Sequence, residues 1–393
     1  MSKLFLAFLL AWLALPLQAA EKHAHGAETR HALAISTAFD RTGKLWRASV
    51  HNGQVLVDAS TDQGKTFGPA VAVNPQPEKI GAEGEQRPKI AVGPEGNLYV
   101  SWTQALAQPY AGHIRFSRSV DGGKSFSAPI VVNHDRQPIT HRFDSLTVTA
   151  DGRVWLAWID KRDLLAAKAA GQPYAGAAIY YAVSADAGAS FAIERKAGDA
   201  SCECCRIALQ PTTDNAVVAL WRQLYPGGIR DHAIARLEPQ AETRPQRASF
   251  GNWQIDACPH HGPALARGGD WGWHLAWYDG GDQAGLFYAR MDGAAWVSSP
   301  PRRFGDADAQ AGHPALLALG EQVWLAWKEL SEHGAVIRLA RSADGGRSWS
   351  EPTEIARADG AADYPALIND GTRAYLSWNT ARGYRLVAVE APR

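Results

Sequence analysis

An eight-residue phrase recurs four times in this chain, and no other feature restricts its folding as tightly. It reads STDQGKTF at Ser60–Phe67, SVDGGKSF at Ser119–Phe126, SADAGASF at Ser184–Phe191 and SADGGRSW at Ser342–Trp349. The aspartates (Asp62, Asp121, Asp186, Asp344) can accept backbone N–H bonds within a turn. The glycines (Gly64, Gly123, Gly188, Gly346) supply the positive φ that a tight hairpin needs. The closing aromatic is placed to fold back and anchor the turn. Between the copies runs a second phrase, an alternating strand that usually ends in tryptophan: GKLWRAS, NLYVSW, RVWLAW, AVVALW, GWHLAW, QVWLAW and RAYLSW. A short apolar strand such as RPKIAV precedes each, and a third such as HIRFSRS follows it. After the turn comes a fourth, such as APIVVN. Four antiparallel strands repeated at a spacing of about 50–60 residues are the blades of a propeller.

The eight-residue phrase resembles the Asp-box, or BNR, repeat of the sialidase-like β-propellers, and the resemblance covers residues 31–390. It implies an all-β, single-domain propeller of four-stranded antiparallel blades, with the Asp-box turns on one face as structural features. Counting strand phrases gives seven blades; six is the alternative, because the resemblance to sialidases implies six. Blade 4 has lost its box, and blade 5 keeps a shortened one at Met291–Trp296. Blade 7 ends after Glu390 with three strands, so its outer strand is missing or comes from the N-terminal segment. In an up-and-down blade the turn after strand three shares a side with the turn after strand one. Functional residues are therefore expected on the other side, at the ends of the tryptophan strands and the entrances of the innermost ones.

Lys+Arg and Asp+Glu both total 40, so no charge excess points to nucleic acid or an acidic membrane. Residues 1–20, MSKLFLAFLLAWLALPLQAA, read as a cleavable signal peptide, and residues 21–30 as a polar, histidine-containing segment before the propeller. The expected location is periplasmic or secreted, the expected state a monomer, and no further apolar run is long enough to span a bilayer.

The four cysteines lie in two crossovers on the expected functional face. One reads Ser201-Cys202-Glu203-Cys204-Cys205-Arg206, the other Asp256-Ala257-Cys258-Pro259-His260-His261-Gly262. In an exported chain an even cysteine count reads as disulfides, with three connectivities open. A large core needs no such staples, and three cysteines within four residues are awkward to pair. The alternative is a soft-metal site of thiolates and imidazoles for copper or zinc, expected between blades 4 and 5 at the channel mouth. A mixed state, one disulfide beside two thiols, also fits. If residues 202–205 are extended, Cys202 and Cys204 share a side and Cys205 points away. His313 occupies the matching position in blade 6. Cleavage after Ala20 would start the mature chain at Glu21-Lys22-His23, a nitrogen set suited to Cu(II) or Ni(II), or simply a polar tail.

The resemblance also implies an enzyme class, an exo-acting glycoside hydrolase with an arginine cluster, an aspartate acid/base and a tyrosine nucleophile paired with glutamate. The Phe/Tyr-Arg-Ile-Pro motif of that family is absent. Its nearest matches are Gln86-Arg87-Pro88 and Cys205-Arg206-Ile207-Ala208. The candidate catalytic set is Arg87, Asp160, Arg206 and Tyr364, with Arg142, Arg222 and Asp163 able to face the same side. The duplicated loops Gln108–Gly112 and Gln172–Gly176 read as repeat-derived turns or a ligand rim. The preferred reading is a binding or accessory protein holding a metal ion or small ligand at the channel mouth. A glycosidase and a protein-interaction platform are the alternatives.

Overall fold

The computed structural model describes residues 33–389. These form seven antiparallel sheets, each built from strands consecutive in sequence. The innermost strands of the seven blades are Ser36–Phe39, Lys89–Val92, His141–Val148, Ala208–Pro211, Ala264–Arg267, Gly312–Leu319 and Ala366–Asn369. Each packs against the next, and the last packs against the first, so the ring closes. Six blades have four strands. The seventh has three, ending with Gly383–Val389, and no described residue pairs with the outer edge of that strand. Ser36–Phe39 belongs to blade 1, paired with Leu45–His51, and residues 1–32 lie outside the described residues.

Tryptophan fills the spaces between blades. Trp102, Trp155, Trp158, Trp221, Trp324, Trp327 and Trp378 are almost completely enclosed. An indole nitrogen buried unpaired is costly, and although Trp155 Nε1 has no partner, most find an acceptor. Trp158 therefore donates to Asp160, Trp221 to Gln223 and Trp327 to Glu329, each two residues further on.

The boxes lie between strands three and four of blades 1, 2, 3 and 6, as the repeat requires. In each, the serine hydroxyl donates to the aspartate and accepts the glycine N–H; in blade 2 these are Ser119, Asp121 and Gly123, at 2.7 and 2.9 Å. The ring then leaves its own blade. Phe67 packs edge-on against Tyr384 of blade 7, Phe191 against Phe116 of blade 2, and Trp349 against Tyr288 of blade 5. The glycine is fixed by the same closeness: a Cβ on Gly123, at φ +80°, would stand 2.5 Å from Trp46 of blade 1. Each box thus fastens its blade to the preceding one.

Ring closure uses charge as well. Arg87, entering blade 2, makes two 2.7 Å bonds to buried Asp363, entering blade 7, and the Ile35 N–H also faces that carboxylate. Thr37 and Ser377 hydrogen-bond across the same seam at 2.7 Å.

Candidate functional site

On the face opposite the boxes, residues 202–205 form a bend rather than an extended strand. The bend turns Cys205 back, so all three sulfurs converge instead of splitting two and one. Cys202 and Cys204 are 3.6 Å apart, Cys204 and Cys205 3.9 Å, and Cys205 and Cys202 3.8 Å. All three are buried and none is in a disulfide. They pack in an apolar cluster with Phe143, Ile159, Ile207 and Trp221, which belongs to blades 3 and 4. The trio therefore sits between blades 3 and 4, not blades 4 and 5. The reason is topological: this crossover leaves blade 3, and its side chains fill the gap it bridges.

Two guanidiniums face the sulfurs. Arg230 Nη1 donates to Cys202 Sγ at 3.2 Å. Arg222 is 1% exposed and donates only to carbonyls, those of Arg230, His261 and Tyr278. Neither arginine has a carboxylate within ion-pairing distance among the described residues. A buried cation without an ion pair is costly, and Arg222 acts electrostatically on Cys202, Cys205 and Asp279. Hydrogen bonds from the neighbouring thiols, and the Arg222 charge, hold Cys202 far below an ordinary thiol pKa, while Cys204 and Cys205 are pushed up.

The second crossover does not join it. Cys258 is exposed and lies outside the sulfur group, and His260 is exposed at φ +54°. His261 instead enters a column of stacked rings. Its centroid is 4.2 Å from that of Tyr278 and 4.4 Å from that of His313, and His313 lies 3.4 Å from Tyr364. A bulge between Gly312 and Ala315, with His313 itself at φ +56°, accompanies this placement. The expected thiol–imidazole site is thus two sites, linked through Arg222, which bonds the backbone of both His261 and Tyr278. His23 and the signal segment lie outside the described residues.

Beside the column sits Glu85, a residue the sequence patterns did not single out. Its buried carboxylate accepts from Arg206 Nη1 at 2.8 Å, from the Gly262 N–H at 2.8 Å, and from His313 Nδ1 at 3.2 Å. Burial alone would raise its pKa; the Arg206 charge and the His313 bond outweigh that and hold it well below the usual carboxylate range. Arg206, Tyr364 and His313 are therefore gathered around one carboxylate, with Arg87 bonded to Gly84 O and Asp363 at the edge. Asp160 is not with them. It serves as the indole acceptor of Trp158 and pairs with Arg162, the part that Gln223 and Glu329 play for their own tryptophans. Asp163 accepts from Tyr180, and Arg142 donates to Gln86. In the duplicated loops Ala111 N–H closes a turn onto Gln108 O, and Tyr174 bonds Asp199.

No protein-family model matches this chain, and no curated protein does. Solved structures do share its fold. A Hadza microbial sialidase superposes with a TM-score of 0.53 at 12% identity, over 86% of this chain and 74% of that one. A polysaccharide lyase, a PL25 ulvan lyase, gives 0.56 at 12% identity over 90% and 92%. The α-L-arabinanase of Penicillium chrysogenum gives 0.51 at 13% identity over 77% and 92%. These structures share a β-propeller fold with this chain. At such identities they establish the fold alone.

Proposed function

We propose that the chain is an exported accessory protein that binds one soft metal ion, copper as Cu(I), through Cys202, Cys204 and Cys205. The observation that carries this reading is the sulfur triangle. Sides of 3.6, 3.8 and 3.9 Å put its centre about 2.2 Å from every sulfur, against about 2.3 Å for a metal–thiolate bond. Thiolate is the ligand that selects Cu(I) or zinc among divalent and monovalent competitors. The surrounding charge favours the monovalent ion. Three thiolates and Cu(I) carry two negative charges, which Arg222 and Arg230 balance; Zn²⁺ would leave one positive charge buried. Zinc also takes four ligands at structural sites, and the sulfur group comprises three.

The test is elemental analysis of protein purified without chelators, with free thiols counted on the same sample. One copper per chain, lost in Cys202→Ser and Cys204→Ser, is the expected result. Fewer than four free thiols after unfolding under non-reducing conditions, with no copper taken up, makes the cysteines disulfides and ends the proposal.

A glycoside hydrolase is the second reading, favoured because Tyr364 borders a cavity beside Glu85 and Arg206. Against it, Arg87 and Arg206 are each committed to a carboxylate of the protein itself, and Asp160 is committed to an indole. No hydrolysis of an aryl sialoside is expected between acidic and neutral pH. Turnover abolished by Tyr364→Phe would promote this reading over the first.

A further inference from the structure

The ring column forms one wall of an open cavity of about 350 Å³, bordered by His261, Tyr278, Gln310, His313, Lys328 and Tyr364. This volume lies in the range of small-molecule sites. It takes residues from blades 5, 6 and 7, and none of the three clustered cysteines borders it.

Its chemistry is unbalanced in a particular way. Lys328 follows Trp327 at the end of the blade 6 tryptophan strand. Its ammonium donates to Ala362 O at 2.7 Å and stands 5.3 Å from the centre of the Tyr364 ring. No carboxylate of a described residue reaches it: Glu85 is held by Arg206 and Asp363 by Arg87. Burial lowers the Lys328 pKa, and the Asp363 charge opposes that without reversing it. Lys89 bonds two carbonyls, with Asp144 and Glu85 in electrostatic range, and Arg142 bonds an amide, with Glu83 in range; neither has a carboxylate within ion-pairing distance among the described residues. The Lys328 ammonium, with one carbonyl bond and no ion pair among the described residues, is the group on this wall that suits an anion.

His313 adds a second requirement. Its Nδ1 must donate, because ionised Glu85 can only accept. Burial lowers the pKa of His313 and takes that of His261 down to about 3, so both rings are neutral near pH 7. A neutral imidazole whose Nδ1 carries the proton offers Nε2 as an acceptor, and the natural partner for it is a hydroxyl. The Gln310 amide supplies one more donor and one more acceptor on the same cavity wall.

We propose that this cavity binds a small hydroxycarboxylate, its carboxylate on Lys328 and a hydroxyl on His313. Three matched probes separate the two requirements by titration calorimetry: D-gluconate, D-glucitol with the hydroxyls but no carboxylate, and hexanoate with the carboxylate but no hydroxyls. Gluconate is expected to bind about tenfold or more tighter than either of the others. Lys328→Gln should weaken gluconate by about tenfold or more, the worth of a charge-assisted hydrogen bond, with free-thiol content unchanged. His313→Gln should bring gluconate toward hexanoate. Equal binding of glucitol and gluconate, no heat from gluconate, or gluconate affinity indifferent to Lys328→Gln each overturns the proposal. Because thiol and metal content are read separately, failure here leaves the sulfur site standing, and the reverse holds too.

Discussion

The two faces of the propeller are built on opposite plans. On the box face one solution is used four times: serine to aspartate, glycine against the preceding blade, aromatic ring across the seam. On the other face the indole-capping acceptor two residues after a tryptophan recurs, but the residue before it does not. The residue directly after the terminal tryptophan is Arg222 in blade 4, Tyr278 in blade 5 and Lys328 in blade 6, and these three border or join the two candidate sites. Each has a different charge or hydrogen-bonding capacity, while the strands that carry them are nearly interchangeable. Repetition marks the parts that hold the ring; departure from it marks the parts free to meet a ligand.

If that division holds, mutations on the two faces should fail in different assays. The largest effect expected is on the open face. Replacing Cys202, Cys204 and Cys205 together by serine should abolish copper uptake altogether, since thiolate–metal bonds supply nearly all of such an affinity. Urea unfolding of the metal-free protein should change far less. A variant that retains copper would move the site elsewhere, and Cys258 with His260 would be the next place to look.

Arg87 tests the boundary between the faces, because it lies near the ring column yet serves ring closure. Arg87→Met strands Asp363 as a buried, unpaired carboxylate, 4% exposed at its side chain. Loss of one partner from such a pair costs about 3–5 kcal/mol. Urea unfolding is expected to fall by that amount. A stable variant that had lost only ligand binding would instead make Arg87 a binding residue.

The box face can be probed with two adjacent glycines. Gly122 and Gly123 both have positive φ, +73° and +80°, but a Cβ on Gly122 meets nothing within 4 Å while one on Gly123 meets Trp46 at 2.5 Å. Gly122→Ala carries only the backbone penalty of about 1 kcal/mol. Gly123→Ala adds overpacking against the neighbouring blade, for about 2–3 kcal/mol in all. Equal losses in the two variants would mean that the box does not fasten one blade to the next. Copper content per folded chain should be unchanged in both.

This contrast also explains how much could be read in advance. The seven phrases and the boxes are short-range patterns, so blade number and box face were legible in the sequence, whereas the bend that brings Cys205 to Cys202 and Cys204 was not. Glu85 was not. Its partners, Arg206, Gly262 and His313, are 121 to 228 residues away, and nothing local marks it. Asp160 holds a role that recurs with the repeat, which a search for single site residues does not reveal. Aligning the strand ends shows Asp160, Gln223 and Glu329 at the same offset from a tryptophan, and the shared role is indole capping. The same alignment, read one residue earlier, would have set Tyr278 and Lys328 beside Arg222.

The smallest expected effect asks whether buried imidazoles behave alike on both faces. His274, near the blade 6 box, bonds Tyr288 at 2.6 Å, and burial together with the Arg290 charge takes its pKa down to about 3. His261, on the open face, is lowered to about 3 as well, by burial and the His313 charge. In both cases the unfolded chain accepts a proton from about pH 6.5 downward, while the folded chain refuses it until about pH 3. Stability must therefore fall as pH falls through that window, and recover above it. Each imidazole contributes about 1 kcal/mol of loss between pH 7.5 and pH 5.5. His274→Gln and His261→Gln should each flatten the profile of urea midpoint against pH by a similar share. Only His261→Gln should also change gluconate binding, because only His261 borders the cavity. If His274→Gln alters gluconate binding as strongly, the two faces are coupled, and the division between a holding face and a binding face fails.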